Sequence, residues 1–113
     1  MMNTAYQAGF LYELRAAKYL RGLGYKILER RFRAADGEID LIARDGDTIV
    51  FVEVKARPQN RLGVGAEAVD FDKMRRVHGA ASVYLSRHAP DAACRFDILE
   101  FTRAGVRHMK NAF

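Results

Sequence analysis

The chain has 113 residues, half of them apolar and 29% charged, with a net charge of +5. This length supplies one modest hydrophobic core, so we expect a single domain over residues 1–113. No apolar run approaches the ~18 residues that a membrane helix needs, and the N-terminus lacks a secretory pattern. Cys94 is the only cysteine, which excludes an internal disulfide and a cysteine-based zinc site. These features predict a cytoplasmic protein without a membrane partner.

The charge balance favours an anionic partner. Lysine and arginine total 19 against 14 acidic residues, and 14 of the 19 are arginine. The planar guanidinium group suits phosphate better than the ammonium group of lysine does. The composition therefore predicts nucleic acid as a candidate partner, although many basic proteins bind none.

Apolar periodicity and turn residues predict seven elements, in the order α, β, β, β, α, β, β. They are a helix over 4–21, a strand over 25–33, a hairpin over 37–57, a helix over about 70–87 capped by Asp70 or Asp72, and strands over 94–102 and 106–109. Proline and glycine among polar residues predict a loop over 57–65. A meander followed by a helix and a further strand predicts an α/β fold, a mixed sheet packed with helices.

Three charges interrupt the apolar pattern of the hairpin. Glu53 and Lys55 are two residues apart in one strand, so they share a face, while three valines share the other. A two-residue turn at Gly46–Asp47 would place Asp40 directly opposite Glu53, and a turn one residue earlier would place Glu38 there. Either turn predicts carboxylates on one face of the hairpin, whereas a three-residue loop would separate them.

Opposed carboxylates repel each other, so protonation, a nearby cation or a bound divalent cation must offset the repulsion. Mg²⁺ and Mn²⁺ prefer hard oxygen ligands, typically one or two carboxylates with water and substrate phosphate. Lys55 would then face the same phosphate or the attacking water. Asp40, Glu53 and Lys55 therefore predict metal-assisted hydrolysis of a phosphodiester.

A solvated sheet face is the competing interpretation of these charges. Antiparallel sheets commonly expose one face to water, and Lys55 would then neutralise Glu53. Ile42, Ile49 and Phe51 have the same strand parity as the charges, however, so the face is apolar near the turn.

Glu13 adds a third carboxylate. At 100° per residue it falls inside the apolar stripe of the first helix, which we expect to consist of Phe10, Leu14, Ala17 and Leu20. No basic residue stands three or four positions further on to pair with it. Two interpretations stay open: Glu13 is a metal ligand, or it pairs with an arginine of the sheet.

The remaining basic residues are sorted by their position. Lys73 lies near the start of the second helix, where it would hold a phosphate or extend into solvent. Five arginines flank the hairpin and are predicted to contact a phosphate backbone, unless they form only a solvated rim. They are Arg30, Arg31, Arg33, Arg57 and Arg61.

The hairpin and its flanks resemble a known family. The segment GEIDLIARDGDTIVFVEVKAR, preceded by YELRAAKYLRGLGYKILERRFR and followed by EAVDFDKMRRV, RFDILEF and NAF, resembles the YraN family of small bacterial proteins. That family is similar to the PD-(D/E)XK nucleases, in particular the archaeal Holliday junction resolvases. The resemblance implies a restriction-endonuclease-like three-layer α/β fold, with a mixed central sheet flanked by helices, and a homodimer.

The resemblance also assigns roles to residues. Asp40 and Glu53 would bind Mg²⁺ or Mn²⁺ with the carbonyl of Val54, Glu13 matches the helix glutamate of the resolvases, and Lys55 would position water or phosphate. Two positions depart from the pattern. Ile39 stands where the nuclease signature has proline. Arg31 replaces the usual asparagine, at a position that we expect to lie away from the site.

These observations give one leading hypothesis and two alternatives. The leading hypothesis is a metal-dependent endonuclease acting on DNA, with branched or flapped DNA as candidate substrates. The alternatives are a nucleic-acid-binding module that retains the nuclease fold without turnover, and a protein-interaction subunit.

Overall fold

The computed structural model describes residues 4–57 and 71–113. They form α1 (Thr4–Gly22), β1 (Lys26–Ala34), β2 (Gly37–Asp45), β3 (Thr48–Arg57), α2 (Phe71–His88), β4 (Ala93–Thr102) and β5 (Gly105–Met109). The predicted order of helices and strands is confirmed. Of the loop predicted over 57–65, only Arg57 is among the described residues, where it ends β3. The predicted cap at Asp70 and the arginine Arg61 lie outside the described residues.

The five strands form one mixed sheet in the order β1-β2-β3-β4-β5. All neighbours are antiparallel except β3 and β4, which are parallel because the connection between them returns through α2. One apolar cluster joins α1 to one face of the sheet, and a second joins α2 to the other face. The predicted α/β class is confirmed, and its three layers are consistent with a restriction-endonuclease-like fold.

The buried side of α1 differs from the predicted stripe. From residue 9 to the end of the helix, the buried residues are Glu13, Ala16, Ala17 and Leu20, whereas Phe10 and Leu14 are each 39% exposed. The two alanines pack against the sheet, so the apolar stripe is rotated towards them and brings Glu13 with it. The predicted burial of Phe10 and Leu14 was therefore wrong.

Helix α2 buries one side against the sheet. Val77, Ala80, Ala81 and Tyr84 are buried, and Tyr84 packs edge-on against Phe51 of β3. The exposed side of α2 is rich in charge. Among the helices in the described ranges, none is both long enough and apolar enough to cross a bilayer.

The turn between β2 and β3 has the predicted two residues. Asp45 pairs with Thr48, so Gly46 and Asp47 form the turn, and Gly46 has a φ of 60°. A glycine with positive φ at the first central position is typical of the type II′ turn, whose twist matches the strands. The hairpin register predicted from this turn is confirmed as far as the strands pair.

Gly37, the first residue of β2, lies against the backbone of α2. A Cβ atom here would come within 2.6 Å of the carbonyl carbon of Arg76 and closer still to its oxygen. Because a backbone group cannot move aside as a flexible side chain does, Gly37→Ala is expected to lower the free energy of unfolding by about 1–3 kcal/mol. Urea denaturation measures the change.

Gly22→Ala is the control for this substitution, because nothing lies within 4 Å of a Cβ atom at Gly22. The control is expected to be neutral or slightly stabilising. Equal stability of Gly37→Ala and wild type would contradict the close approach of β2 and α2.

Candidate functional site

Strands β2 and β3 separate at one end of the hairpin, and the candidate site lies there. Their pairing stops at Leu41 and Val52. Since Asp45 and Thr48 close the two-residue turn with hydrogen bonds, alternation makes the N–H and C=O groups of Val54 also face β2. The next pair would be Val54 with Ile39, and it is missing from the register. We call the gap between Asp40 and Val54 the fork.

The Asp40 carboxylate takes the place of the missing backbone partner. Its Oδ2 accepts a hydrogen bond of 2.8 Å from the N–H of Val54. The carbonyl of Val54 faces the same gap, because the two backbone groups of a residue in an antiparallel strand point to the same side. The fork therefore places the Asp40 carboxylate beside the backbone of Val54.

A kink in β2 accompanies the fork. Ile39 and Ile42 are three residues apart, and both pack in the cluster under α2, whereas strict alternation would place them on opposite faces. Neighbouring β1 is irregular at the same level. Arg31 lies between the pairs Arg30–Leu41 and Phe32–Ile39, and its φ is 52°.

The conformation of Arg31 suits the asparagine that the family resemblance implies at this position. Asparagine adopts positive φ more readily than most residues do. Arg31 was predicted to lie away from the site, and this was wrong. It stands across from Asp40, and its Nε contacts both carboxylate oxygens of Glu13, at 2.8 and 2.9 Å.

Of the two interpretations of Glu13, the structure shows the second, an ion pair with an arginine of the sheet. Its side chain is nearly buried, and it lines a hollow of about 170 Å³ with Tyr12, Asp40 and Val54. The helix glutamate therefore adjoins Asp40, although its charge is already compensated by Arg31.

Glu53 lies on the other side of the fork. It is 6% exposed and forms an ion pair with Lys73 from the start of α2. Lys55 lines the same small hollow as these two residues. The expectation that Asp40 and Glu53 open onto one face was wrong, because the kink in β2 turns Asp40 towards the α1 side, where it lines the hollow with Glu13.

The charge of Asp40 is strongly affected by its surroundings. Its pKa is raised to about 7, mainly by burial and next by the nearby carboxylate of Glu53. The hydrogen bond from Val54 and the charge of Lys73 act in the opposite direction, and Glu13 makes a smaller upward contribution. Asp40 therefore senses both neighbouring carboxylates, one from each side of the sheet.

In the solvated-face interpretation Lys55 was expected to neutralise Glu53, but in the structure Lys73 does so. The side chain of Lys73 is itself half exposed. Within residues 4–57 and 71–113, no carboxylate lies within ion-pair distance of Lys55. Its ammonium group is therefore available to an anion that enters the hollow beside Glu53.

Sequence reasoning missed Glu100 of β4. It is the register partner of Lys55 in the parallel pair and is fully buried. In the part of the chain that the structure describes, neither of its oxygens accepts a hydrogen bond, and Nε of Arg57 lies 3.6 Å from one of them. The alternation of side chains along a strand could not identify Glu100 as the partner of Lys55. Neither segment's sequence indicates that β3 and β4 pair in parallel.

The other predicted phosphate-binding residues are dispersed. Arg33 forms an exposed ion pair of 2.8 Å with Glu38 near the β1–β2 turn. Arg57 faces Glu100, and Arg30 lies against the ring of Phe10. The structure thus brings Arg30 and Arg31 to the α1 side of the site and Lys73 to its α2 side.

A second group of buried charges, around Asp97, has a structural role. Asp97 accepts hydrogen bonds from Arg95 and from the backbone of Asn111, and it contacts His108 at 2.8 Å. Arg95 also bonds to Asp45 beside the β2–β3 turn, at the opposite end of β3 from the fork. Because every partner is satisfied, this network ties β4 to β2 and β5 rather than forming a site.

Comparison with known proteins identifies the family. A model described as "Uncharacterised protein family UPF0102" matches residues 12–101. The chain belongs to this family. A UPF0102 protein of Geobacter metallireducens is 46% identical over 103 residues, which cover 87% of this chain and 84% of the relative. A UPF0102 protein of Persephonella marina is 43% identical over 102 residues, covering 89% and 88%. The family expected from the hairpin motifs is confirmed.

The donor set of this UPF0102 chain fits a small hard cation in kind. Among the described residues, no group of three or more His, Cys, Asp and Glu side chains is arranged to hold a metal. The fork instead offers Asp40 and the carbonyl of Val54, with Glu53 close enough to raise the pKa of Asp40. Two carboxylates and a carbonyl match Mg²⁺ or Mn²⁺, which complete their octahedron with water and substrate phosphate.

Proposed function

We propose that this UPF0102 protein is an endonuclease-like hydrolase that cleaves phosphodiester bonds in DNA with Mg²⁺ or Mn²⁺. The observation that carries the proposal is Asp40, a carboxylate with a pKa near 7 that is held in the fork beside Glu53. Repulsion between two such groups is relieved when a divalent cation enters. The resemblance of the GEID and FVEVK segments to the PD-(D/E)XK nucleases supports the same activity.

Each residue has a defined task in this proposal. Asp40, Glu53 and the carbonyl of Val54 would hold the ion, which would polarise the phosphate and lower the pKa of the attacking water. Lys55 has no carboxylate partner in the described ranges, so its ammonium group is free to orient that water or to stabilise the charge that develops on phosphate. Glu13 and Arg31 support Asp40 from the α1 side.

The proposal requires one rearrangement. Lys73 pairs with Glu53 and occupies the position where a cation would compensate that carboxylate. Its stem lies at the start of α2, and half of the side chain is in solvent, so Lys73 is able to turn towards a bound phosphate. In this proposal, Lys73 pairs with Glu53 in the absence of metal and contacts phosphate once the ion and the substrate are bound.

A nucleic-acid-binding module without turnover is the second candidate. The ion pairs support it, because Arg31 already compensates Glu13 and Lys73 already compensates Glu53. Such a module would bind DNA through its arginines and would require no divalent ion. Metal dependence therefore separates the two functions.

Cleavage of labelled single-stranded, flapped and four-way-junction DNA tests the proposal. Wild type is expected to cut at least one of these with Mn²⁺ and none with chelator. Glu53→Gln is expected to cut about 100-fold more slowly or not at all, because it removes a ligand charge. Glu38→Gln is the matched control, since Glu38 is paired with Arg33 on the surface, and it should retain the rate of wild type.

Equal trace cleavage by wild type and Glu53→Gln would indicate contamination and would refute the nuclease. Salt-sensitive binding of DNA without cleavage in any metal would establish the binding module instead. Absence of binding even at low salt would refute both and favour the protein-interaction subunit.

A further inference from the structure

A hollow of about 420 Å³ lies between α1 and β1, on the α1 side of the fork. Its walls are the ring of Phe10, the side of Glu13 and the strand segment Ile27–Arg31. The volume falls within the range of about 300–1,000 Å³ that is usual for ligand clefts. The hollow is thus large enough for a small planar group.

An exposed aromatic ring and two guanidinium groups form its mouth. Phe10 is 39% exposed, and the guanidinium carbons of Arg30 and Arg31 lie 6.0 and 5.9 Å from its ring centre. Both guanidinium groups lie over the ring at the outer limit of a cation–π contact, and they leave 39% of Phe10 exposed. The ring therefore keeps accessible surface between two cations.

This combination suits an unpaired nucleotide. A base stacks on an aromatic ring whatever its sequence, while guanidinium groups contact the adjoining phosphates. Glu29 also lies on the wall, and its carboxylate repels phosphate but accepts a hydrogen bond from a base amino group. Bases inside a duplex are stacked on each other and cannot reach the ring.

We infer that the hollow bounded by Phe10, Arg30 and Arg31 binds an unpaired base of single-stranded DNA next to the cleavage site. Glu13 lines both this hollow and the one that contains Asp40, so a strand whose base stacks on Phe10 continues towards the fork. The inference deepens the proposed function, on which it rests for the position of the scissile phosphate. It selects single strands and flaps over continuous duplex as substrates.

Binding in chelator tests the inference without cleavage. The probes are a fluorescein-labelled oligothymidylate of about ten nucleotides and a blunt duplex, measured by anisotropy at low salt. Phe10→Ala is expected to weaken binding of the single strand by about 5- to 20-fold, because stacking on the ring is lost. Binding of the duplex is expected to change less than about twofold, and Phe10→Tyr, which keeps the ring, should restore the single strand.

Leu11→Ala is the matched control. Leu11 is the next residue of α1 and is 57% exposed, but it does not line the hollow. Unchanged single-strand binding in Phe10→Ala, equal losses for single strand and duplex, or the same loss in Leu11→Ala would each overturn the inference. Because the assay contains no metal, a Phe10-dependent single-strand preference would stand even if wild type cleaved nothing.

Discussion

Asp40→Asn is expected to make the protein more stable at pH 8 while removing its response to metal. The folded protein holds the Asp40 carboxylate at a pKa of about 7, against 3.8 for the unperturbed group, chiefly because of burial. Asparagine keeps an oxygen that can accept the hydrogen bond from Val54, but it carries no charge next to Glu53. The substitution thus removes the free-energy cost of ionising a buried carboxyl group and keeps the hydrogen bond from the N–H of Val54.

The direction of the pH dependence follows from the raised pKa. The folded state retains the Asp40 proton up to about pH 7, whereas the unfolded chain loses it near pH 4. The contribution of Asp40 to stability is therefore complete below about pH 4 and is lost as the pH rises through 7. The loss amounts to about 2–4 kcal/mol, and Asp40→Asn does not suffer it.

Thermal unfolding in chelator at pH 5 and pH 8 measures this difference. The gain in melting temperature at pH 8 is expected to be on the order of 10 °C, and the two proteins should be close to each other well below pH 4. The wild-type minus variant difference isolates Asp40 from the other carboxylates. A variant that is less stable than wild type at pH 8 would show that the ionised form of Asp40 is favoured by the fold.

Metal is expected to reverse the order of stability of wild type and Asp40→Asn at pH 8. An ion that binds only the folded state stabilises it by mass action, and at pH 8, above its pKa of about 7, most of Asp40 is ionised and can bind the ion. Mn²⁺ at pH 8 is therefore expected to raise the melting temperature of wild type but not of Asp40→Asn. The same variant is expected to lose cleavage by about 100-fold or more. Equal metal stabilisation of both would exclude Asp40 as a ligand.

Lys73→Met is expected to weaken the metal-free protein and to strengthen its binding of metal. Removing one partner of a buried ion pair costs about 3–5 kcal/mol, because the remaining charge is left uncompensated. Lys73 is half exposed, so we expect about 1–2 kcal/mol of lost stability in chelator. Mg²⁺ should restore that stability, and its apparent affinity should rise by about tenfold, because the ion no longer competes with Lys73 for Glu53.

Arg75→Met is the control for Lys73→Met. Arg75 is also at the start of α2 and pairs with Asp72, but both of its pairing side chains are exposed. Such a surface pair contributes little, so stability and metal affinity should be unchanged. Unfolding in urea and titration with Mg²⁺ measure both quantities. Weaker binding of metal by Lys73→Met would contradict the competition and leave Lys73 as a structural partner of Glu53.

The sequence was sufficient to predict the elements and the turn. Periodicity located both helices and all five strands, and Gly46 located a two-residue turn. The helices, strands and turn depend on residues that are close together in the chain, so local sequence patterns indicate them. The buried side of α1 was less predictable, because the apolar stripe at helical spacing includes both Phe10 and Ala17. Which of the two meets the sheet is decided by how closely the helix packs.

The candidate site was predictable in its members but not in its arrangement. Asp40, Glu53 and Glu13 stand out as charges within apolar patterns, and the structure gathers them around the fork. Their partners could not be predicted, since Arg31 and Lys73 reach them from β1 and α2. The kink in β2 was also hidden. It lies across from Arg31, which has positive φ in the neighbouring strand, and arginine gives no local sign of that conformation.

The hydrogen bond from Val54 has a consequence for ion selectivity. One lone pair of Asp40 Oδ2 already accepts the hydrogen bond from the backbone N–H of Val54, so the other oxygen is the less encumbered ligand for an incoming ion. An ion coordinated by both oxygens would compete with that hydrogen bond for the electron density of Oδ2. Ca²⁺ often binds carboxylates through two oxygens, whereas Mg²⁺ takes one oxygen from each ligand. In the proposed site, the parting of the two strands would thereby favour Mg²⁺ over Ca²⁺, because Asp40 would offer a single oxygen more readily than two.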